Sequence, residues 1–98
     1  GNRFLNAGIG YGGSCFPKDT KALNWFANFN DNELRTIKAA IEVNENQKFK
    51  LVKKAKKYYN DFLFLNVAIL GCTFKPGTDD LREAPSLVNI PILMEDGV

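Results

Sequence analysis

The chain has no histidine among its 98 residues. That absence removes His-ligated metal centres and any Ser-His-Asp or Cys-His pair that would have to form within it. Cysteine is scarce as well. Cys15 and Cys72, far apart in sequence, are too few for a disulfide framework or a thiolate metal site. No apolar run approaches the ~18 residues that a membrane span needs, and no leader or lipidation signal is visible. These absences set the expectation of a protein in a reducing, cytoplasmic compartment, without metal and without a membrane. Thirteen basic and eleven acidic residues leave a net charge of +2, too small to argue for nucleic acid. The densest basic run, Lys48 to Lys57, reads at helical spacing as a solvated helix face.

What is present is the composition of an ordinary folded protein, 45% hydrophobic and 24% charged. This length suits one small domain or a piece of a larger one. The chain has no initiating methionine and stops at Asp96-Gly97-Val98, in what reads as the middle of an α/β unit. The expectation is a piece of a longer polypeptide.

Its most informative stretch is Gly8-Ile-Gly-Tyr-Gly-Gly-Ser-Cys-Phe-Pro-Lys-Asp19. Four glycines in six residues, Gly8, Gly10, Gly12 and Gly13, lead to Cys15, and Pro17 ends the flexible run. Glycine permits close backbone approach to a ligand and φ > 0 without steric penalty. A thiol between such a loop and a helix start, with Lys18 three positions on, occupies a plausible nucleophile position. Its thiolate could add to a carbonyl carbon. Loss of hydride from the adduct would leave a thioester for water to cleave, with Asp19 placed to orient or deprotonate that water. Asp19 also reads as the N-cap of a helix over 20–27. The glycine order matches neither the dinucleotide fingerprint nor a P-loop.

After the breaker Asn28–Asn32, the spacing predicts one long helix from about residue 31 or 32 to about 59. Its stripe holds Leu34, Ile37, Ile41, Leu51, Val52, Ala55, Tyr58 and Tyr59. Such a helix would reach roughly 40 Å, more than this chain can cover, so part of the stripe is expected to meet another subunit or domain. Asn44 and Lys48 fall on the same stripe, where a buried amide could fix pairing register or both could face solvent. Leu65–Leu70 reads as a buried parallel strand, Cys72–Asp80 as a loop with a turn at Pro76-Gly77, and 87–95 as a helix opened by Pro85 and closed by Gly97. Cys72 is expected in the core, and Trp25 and Phe26 in helix packing. Lys75 and Arg82 lie on the loop after the strand, where open α/β sheets bind ligands, and either could hold an anion.

Together the two clusters are recognisable. Gly8–Asp19 resembles the nucleophile motif of the UDP-glucose/GDP-mannose dehydrogenase family. Val67-Ala-Ile-Leu-Gly-Cys-Thr-Phe-Lys-Pro-Gly-Thr-Asp-Asp-Leu-Arg-Glu-Ala-Pro-Ser86 resembles the segment opening that family's C-terminal nucleotide-sugar domain. The helix between them resembles the central helix through which these enzymes dimerise. The resemblance implies a mainly α fold: a central helical domain over 1–61 with one long dimerisation helix, then, over 62–98, a truncated βα unit of a Rossmann-like domain. It implies NAD-dependent oxidation of a UDP-sugar at C6 to the carboxylate. The wording around the cysteine is most similar to the branch that acts on UDP-glucose. By position, Cys15 matches the nucleophile and Asp19 the acid assisting hydrolysis. Phe4, Leu5, Asn6, Ala7, Gly8 and Gly12 match the loop wrapping the substrate, Lys75 a substrate ligand, and Lys18 and Arg82 contacts to NAD. A GDP-mannose or UDP-N-acetylmannosamine branch, or a helical module that only self-associates, are the other readings.

Overall fold

The computed structural model describes Asn2 and residues 6–98. Four helices make up its regular structure: α1 (Phe16–Phe29), α2 (Arg35–Gln47), α3 (Lys50–Ala55) and α4 (Ser86–Glu95). Pro17 sits in the first turn of α1, where its missing N–H would have had no partner anyway. The helix therefore starts earlier than the sequence suggests. Asp19 lies inside the first turn and its N–H donates to the Cys15 carbonyl at 2.8 Å. Cys15, not Asp19, holds the N-cap position, and Asp19 acts there through its charge on the positive end of the helix. At the other end the Asn30 side-chain amide donates to the Phe26 carbonyl at 2.8 Å, and Asp31 turns to φ 54°. That breaks the helix where the asparagine-rich stretch predicts.

The long helix is realised in two pieces. Lys48 and Phe49 keep right-handed dihedrals, but the Phe49 N–H reaches only three residues back, to the Asn46 carbonyl at 3.2 Å. The i→i−4 ladder tightens at that point and resumes in α3. The phase of the stripe survives: Leu34, Ile37, Ile41, Asn44, Lys48, Val52 and Ala55 are all buried or half-buried. Tyr58 and Tyr59 lie beyond the end of α3 and are exposed, as is Leu51 on its flank.

α1 packs on α2, with Lys21 and Glu45 paired across them at 3.5 Å, and α3 packs on α4. Between α3 and α4 lies a small core of Val52, Phe62 and Leu93, flanked by Ala55, Leu65 and Ile92 and closed by the Lys56–Asp96 ion pair at 2.8 Å. α4 ends as predicted. Gly97 takes φ 93° and the Val98 N–H returns to the Leu93 carbonyl at 3.2 Å.

Several sequence expectations are overturned. No strand occurs among the described residues, and 65–70 runs as irregular chain with Leu70 95% exposed. A strand needs a neighbour to complete its ladder, and none of the described residues supplies one, so the strand of the expected βα unit is not seen among them. Cys72, expected in the core, is exposed for the same reason. Trp25 and Phe26 stand out from α1, 66% and 61% exposed, with Trp25 stacked only on Phe29. Leu23 is exposed as well, and the buried residues of α1 are Pro17 and Ala27.

The helix pairs are laid end to end, not wrapped round one centre. The radius of gyration is 16.0 Å, against about 12.6 Å for a compact domain of this length. The accessible surface is 7804 Å², where a compact monomer of this mass would show about 5,600 Å². No helix of the described residues is long and apolar enough to cross a membrane.

Candidate functional site

The glycine-rich loop lies against α2 on one side and against the loop following residue 71 on the other. From α2, the Asn44 side chain closes on the backbone of Tyr11. The Tyr11 N–H donates to Asn44 Oδ1 at 2.7 Å, and Asn44 Nδ2 donates to the Tyr11 carbonyl at 3.1 Å. One turn on, Gln47 Nε2 donates to the Gly8 carbonyl at 2.6 Å. On the other side the Gly13 N–H donates to the Arg82 carbonyl at 2.7 Å. The absence of side chains makes this approach possible. A Cβ on Gly12 would lie 2.4 Å from the Glu83 carbonyl oxygen, and one on Gly13, at φ 86°, 2.8 Å from the Phe74 ring.

The opposing segment is held by its own polar groups. The Phe74 N–H donates to the Asp80 carbonyl, and the Thr73 hydroxyl to the Lys75 carbonyl. Asp80 receives Arg82 in a fork, with Nη2 donating to Oδ2 at 2.6 Å and Nε donating to Oδ1 at 3.0 Å. The guanidinium beside it holds the Asp80 carboxyl down at about 2, well below the usual carboxylate range. The same carboxylate raises Arg82, and the neighbouring Cys15 adds to that rise. Because the Asp80 value is depressed on folding, the pair's contribution is complete above pH ~4 and is lost as the pH falls through about 2. An NMR titration should place the Asp80 carboxyl midpoint near 2, and Arg82→Gln should return it to the ordinary range. An ordinary midpoint in the unmodified chain would contradict the fork.

Cys15 is exposed at the mouth of α1, with the Ser14 hydroxyl 3.8 Å from its sulfur. Asp19 is one turn along the same face of the helix, and Lys18 beside it is exposed. Of the residues matched to a substrate loop, Asn6, Ala7 and Gly8 line a cavity of about 680 Å³ between the loop, α1 and α2, with Tyr11, Asn44 and Gln47. Phe4 and Leu5 lie outside the described residues. Cys15, Gly12, Lys75 and Arg82 do not line that cavity. They belong to the docked side of the loop, where Gly12, Arg82 and Cys15 come together. Lys75 lies with its ammonium 5.2 Å from the centre of the Phe74 ring.

Sequence reasoning missed Gln47, Phe74 and Glu83 and left Asn44 and Lys48 undecided. The available signal was Asn44-x-x-Gln47-Lys48, polar groups at i, i+3 and i+4 on an otherwise apolar stripe. Lys48 is 3% exposed, and its ammonium meets the Glu83 carboxylate at 3.6 Å. The buried amide thus fixes a loop of its own chain.

Residues 1–46 match the family model described as the UDP-glucose/GDP-mannose dehydrogenase family, central domain. The chain is 51% identical over 88 residues to the UDP-glucose 6-dehydrogenase YwqF of Bacillus subtilis, covering 90% of this chain and 20% of that protein. It is 42% identical over 98 residues to a UDP-glucose 6-dehydrogenase of Rhizobium meliloti, covering 99% of this chain and 22% of the relative. A crystal structure of a ternary complex of GDP-mannose dehydrogenase from Pseudomonas aeruginosa superposes with a TM-score of 0.80 at 33% identity, over 99% of this chain and 21% of that one. The chain therefore spans about a fifth of the length of the relatives it matches. With the thiol loop, its helical support and these likenesses in agreement, the chain belongs to the UDP-glucose/GDP-mannose dehydrogenase family.

Proposed function

We propose that this chain is the central segment of an NAD-dependent nucleotide-sugar 6-dehydrogenase that oxidises UDP-glucose to UDP-glucuronate, with Cys15 as its nucleophile. In this reading residues 1–61 belong to the central, dimer-forming domain, and 62–98 open a C-terminal nucleotide-sugar domain of Rossmann type. The names of the relatives support UDP-glucose over GDP-mannose. The observation that carries the proposal is the placement of Cys15. An exposed thiol sits at the start of α1, on a loop docked to the segment that bears Lys75 and Arg82.

The chemistry follows from that placement. The Cys15 sulfur adds to the C6 aldehyde of the sugar, and after C6 is oxidised it holds the acyl group as a thioester. Asp19, one turn below, takes the proton from the water that releases the carboxylate. Bound NAD would supply the hydride acceptor that both oxidations of C6 require. Two cations of this chain fit its phosphates: Lys18, exposed on the first turn of α1, and Arg82, which turns one edge of its guanidinium to Asp80. Asn6, Ala7, Gly8 and Gly12 wrap the substrate, and Lys75 contacts it.

The exposed apolar flank of α2 and α3, including Val43 and Phe49, suits the homodimer contact that the long helical segment implies. The 98 residues alone should give no NADH from UDP-glucose, whereas the full-length enzyme carrying them should turn over. Sustained turnover by the isolated chain, or none by the full-length protein, would refute the assignment.

A further inference from the structure

We propose that Asn44 is the positioning residue of the Cys15 loop and that α2, through Asn44 and Lys48, sets both sides of the site at once. As far as catalysis is concerned, this rests on the reading of Cys15 given above. A primary amide carries an acceptor oxygen and two N–H donors, and with the oxygen and one N–H it can offer the same pair that a neighbouring strand would. Asn44 uses both on a single residue, Tyr11, at 2.7 and 3.1 Å, while only 7% exposed. Tyr11 is thereby fixed in a segment with no regular structure of its own.

From Tyr11 the consequence reaches Cys15 by a short path. The Tyr11 ring meets the Phe16 ring edge-on, with centroids 5.8 Å apart. Phe16 is the first residue of α1, so Gly12, Gly13, Ser14 and Cys15 are strung between two fixed points. In the middle of that span the Gly13 N–H is bonded to the Arg82 carbonyl. Lys48, one turn beyond Asn44, backs the loop at Gly10 and pairs with Glu83, the residue next to Arg82. One helix face therefore holds the thiol loop and the segment on which it docks.

The test has two arms. In the 98-residue chain, amide hydrogen exchange of Tyr11 and Gly13 is compared in the wild type, Asn44→Ala and Asn44→Asp. Alanine is the better helix former, so α2 should persist, and its own amides serve as the control. Asn44→Ala should release both amides by about ten- to a hundredfold. Asn44→Asp, which keeps the acceptor for the Tyr11 N–H but sets a second acceptor against the Tyr11 carbonyl, should recover only part of that protection. Loss at Tyr11 with Gly13 still protected would overturn the proposal, as would loss at every amide of α2.

In the full-length enzyme, Asn44→Ala should lower kcat by at least about tenfold, with a smaller change in KM, because the misplaced group acts in the chemical step. An effect confined to KM would refute the positioning role. A wild-type enzyme without turnover would sink the proposed function, and the exchange arm would then decide on the clamp alone.

Discussion

Cys15→Ser in the full-length enzyme should abolish formation of the sugar carboxylate, with a fall in turnover on the order of 10³-fold or more, the scale seen when a covalent nucleophile is removed. The exchange of sulfur for oxygen hardly alters volume, and Cys15 is exposed, so packing has little to lose. What is lost is reactivity. A serine hydroxyl is a far weaker nucleophile than a thiol at neutral pH, and these 98 residues hold no histidine that could deprotonate it. Cys72→Ser is the matched control. Cys72 is also exposed in this chain but does not stand at a helix start as Cys15 does, so exposure alone does not distinguish the two thiols. Cys72→Ser should leave turnover within about threefold, the range of an ordinary surface change. Equal losses from the two substitutions would remove Cys15 from the chemistry.

How much of this was legible in the residues follows from the range over which each signal acts. Local chemistry was read well. Pro17, the asparagine cluster at 28–32, Pro85 and Gly97 each mark a helix boundary that the structure keeps to within a few residues. The stripe of the long helix was also legible in phase, down to the inclusion of Asn44 and Lys48. What they touch was not legible, because Tyr11 and Glu83 lie more than thirty residues away on either side and no periodicity reports a partner at that distance. Burial failed for a related reason. Leu65–Leu70, Cys72, Trp25 and Phe26 have the composition of core, but whether such residues are covered depends on neighbours that the pattern alone does not provide. The placement of Cys15 was legible because its signal is local: glycines that permit a docked loop, then a helix start. Lys75 and Arg82 were legible as charged loop residues, but the capture of Arg82 by Asp80, two residues earlier, is a choice of rotamer and lay beyond sequence reasoning.

The docking of that loop makes a sharper demand on one glycine than on the others. Gly12→Ala should undock the loop, with a local destabilisation of about 1–3 kcal/mol. The added methyl would lie 2.4 Å from the Glu83 carbonyl oxygen, 2.9 Å from its carbon and 3.1 Å from Phe74 Cβ. The first two are backbone atoms that no rotamer change can move aside, so the loop itself must lift away. Lifting it breaks the Gly13–Arg82 bond at 2.7 Å and carries Cys15 off the segment that bears Arg82. Activity of the full-length enzyme should fall with it. Gly13→Ala is a different case. Its φ of 86° costs a side chain about 1–2 kcal/mol, but its closest contacts are with the Phe74 ring, which can turn. Phe74→Ala should therefore relieve part of the Gly13→Ala defect and little of the Gly12→Ala defect, because the Glu83 carbonyl remains in place. Gly8→Ala meets nothing within 4 Å and should be silent in stability. Exchange of the Gly13 amide, measured across the three alanine variants, reads the order directly. If Gly8→Ala released that amide as much as Gly12→Ala, the loop would be held by glycine flexibility and not by close backbone contact.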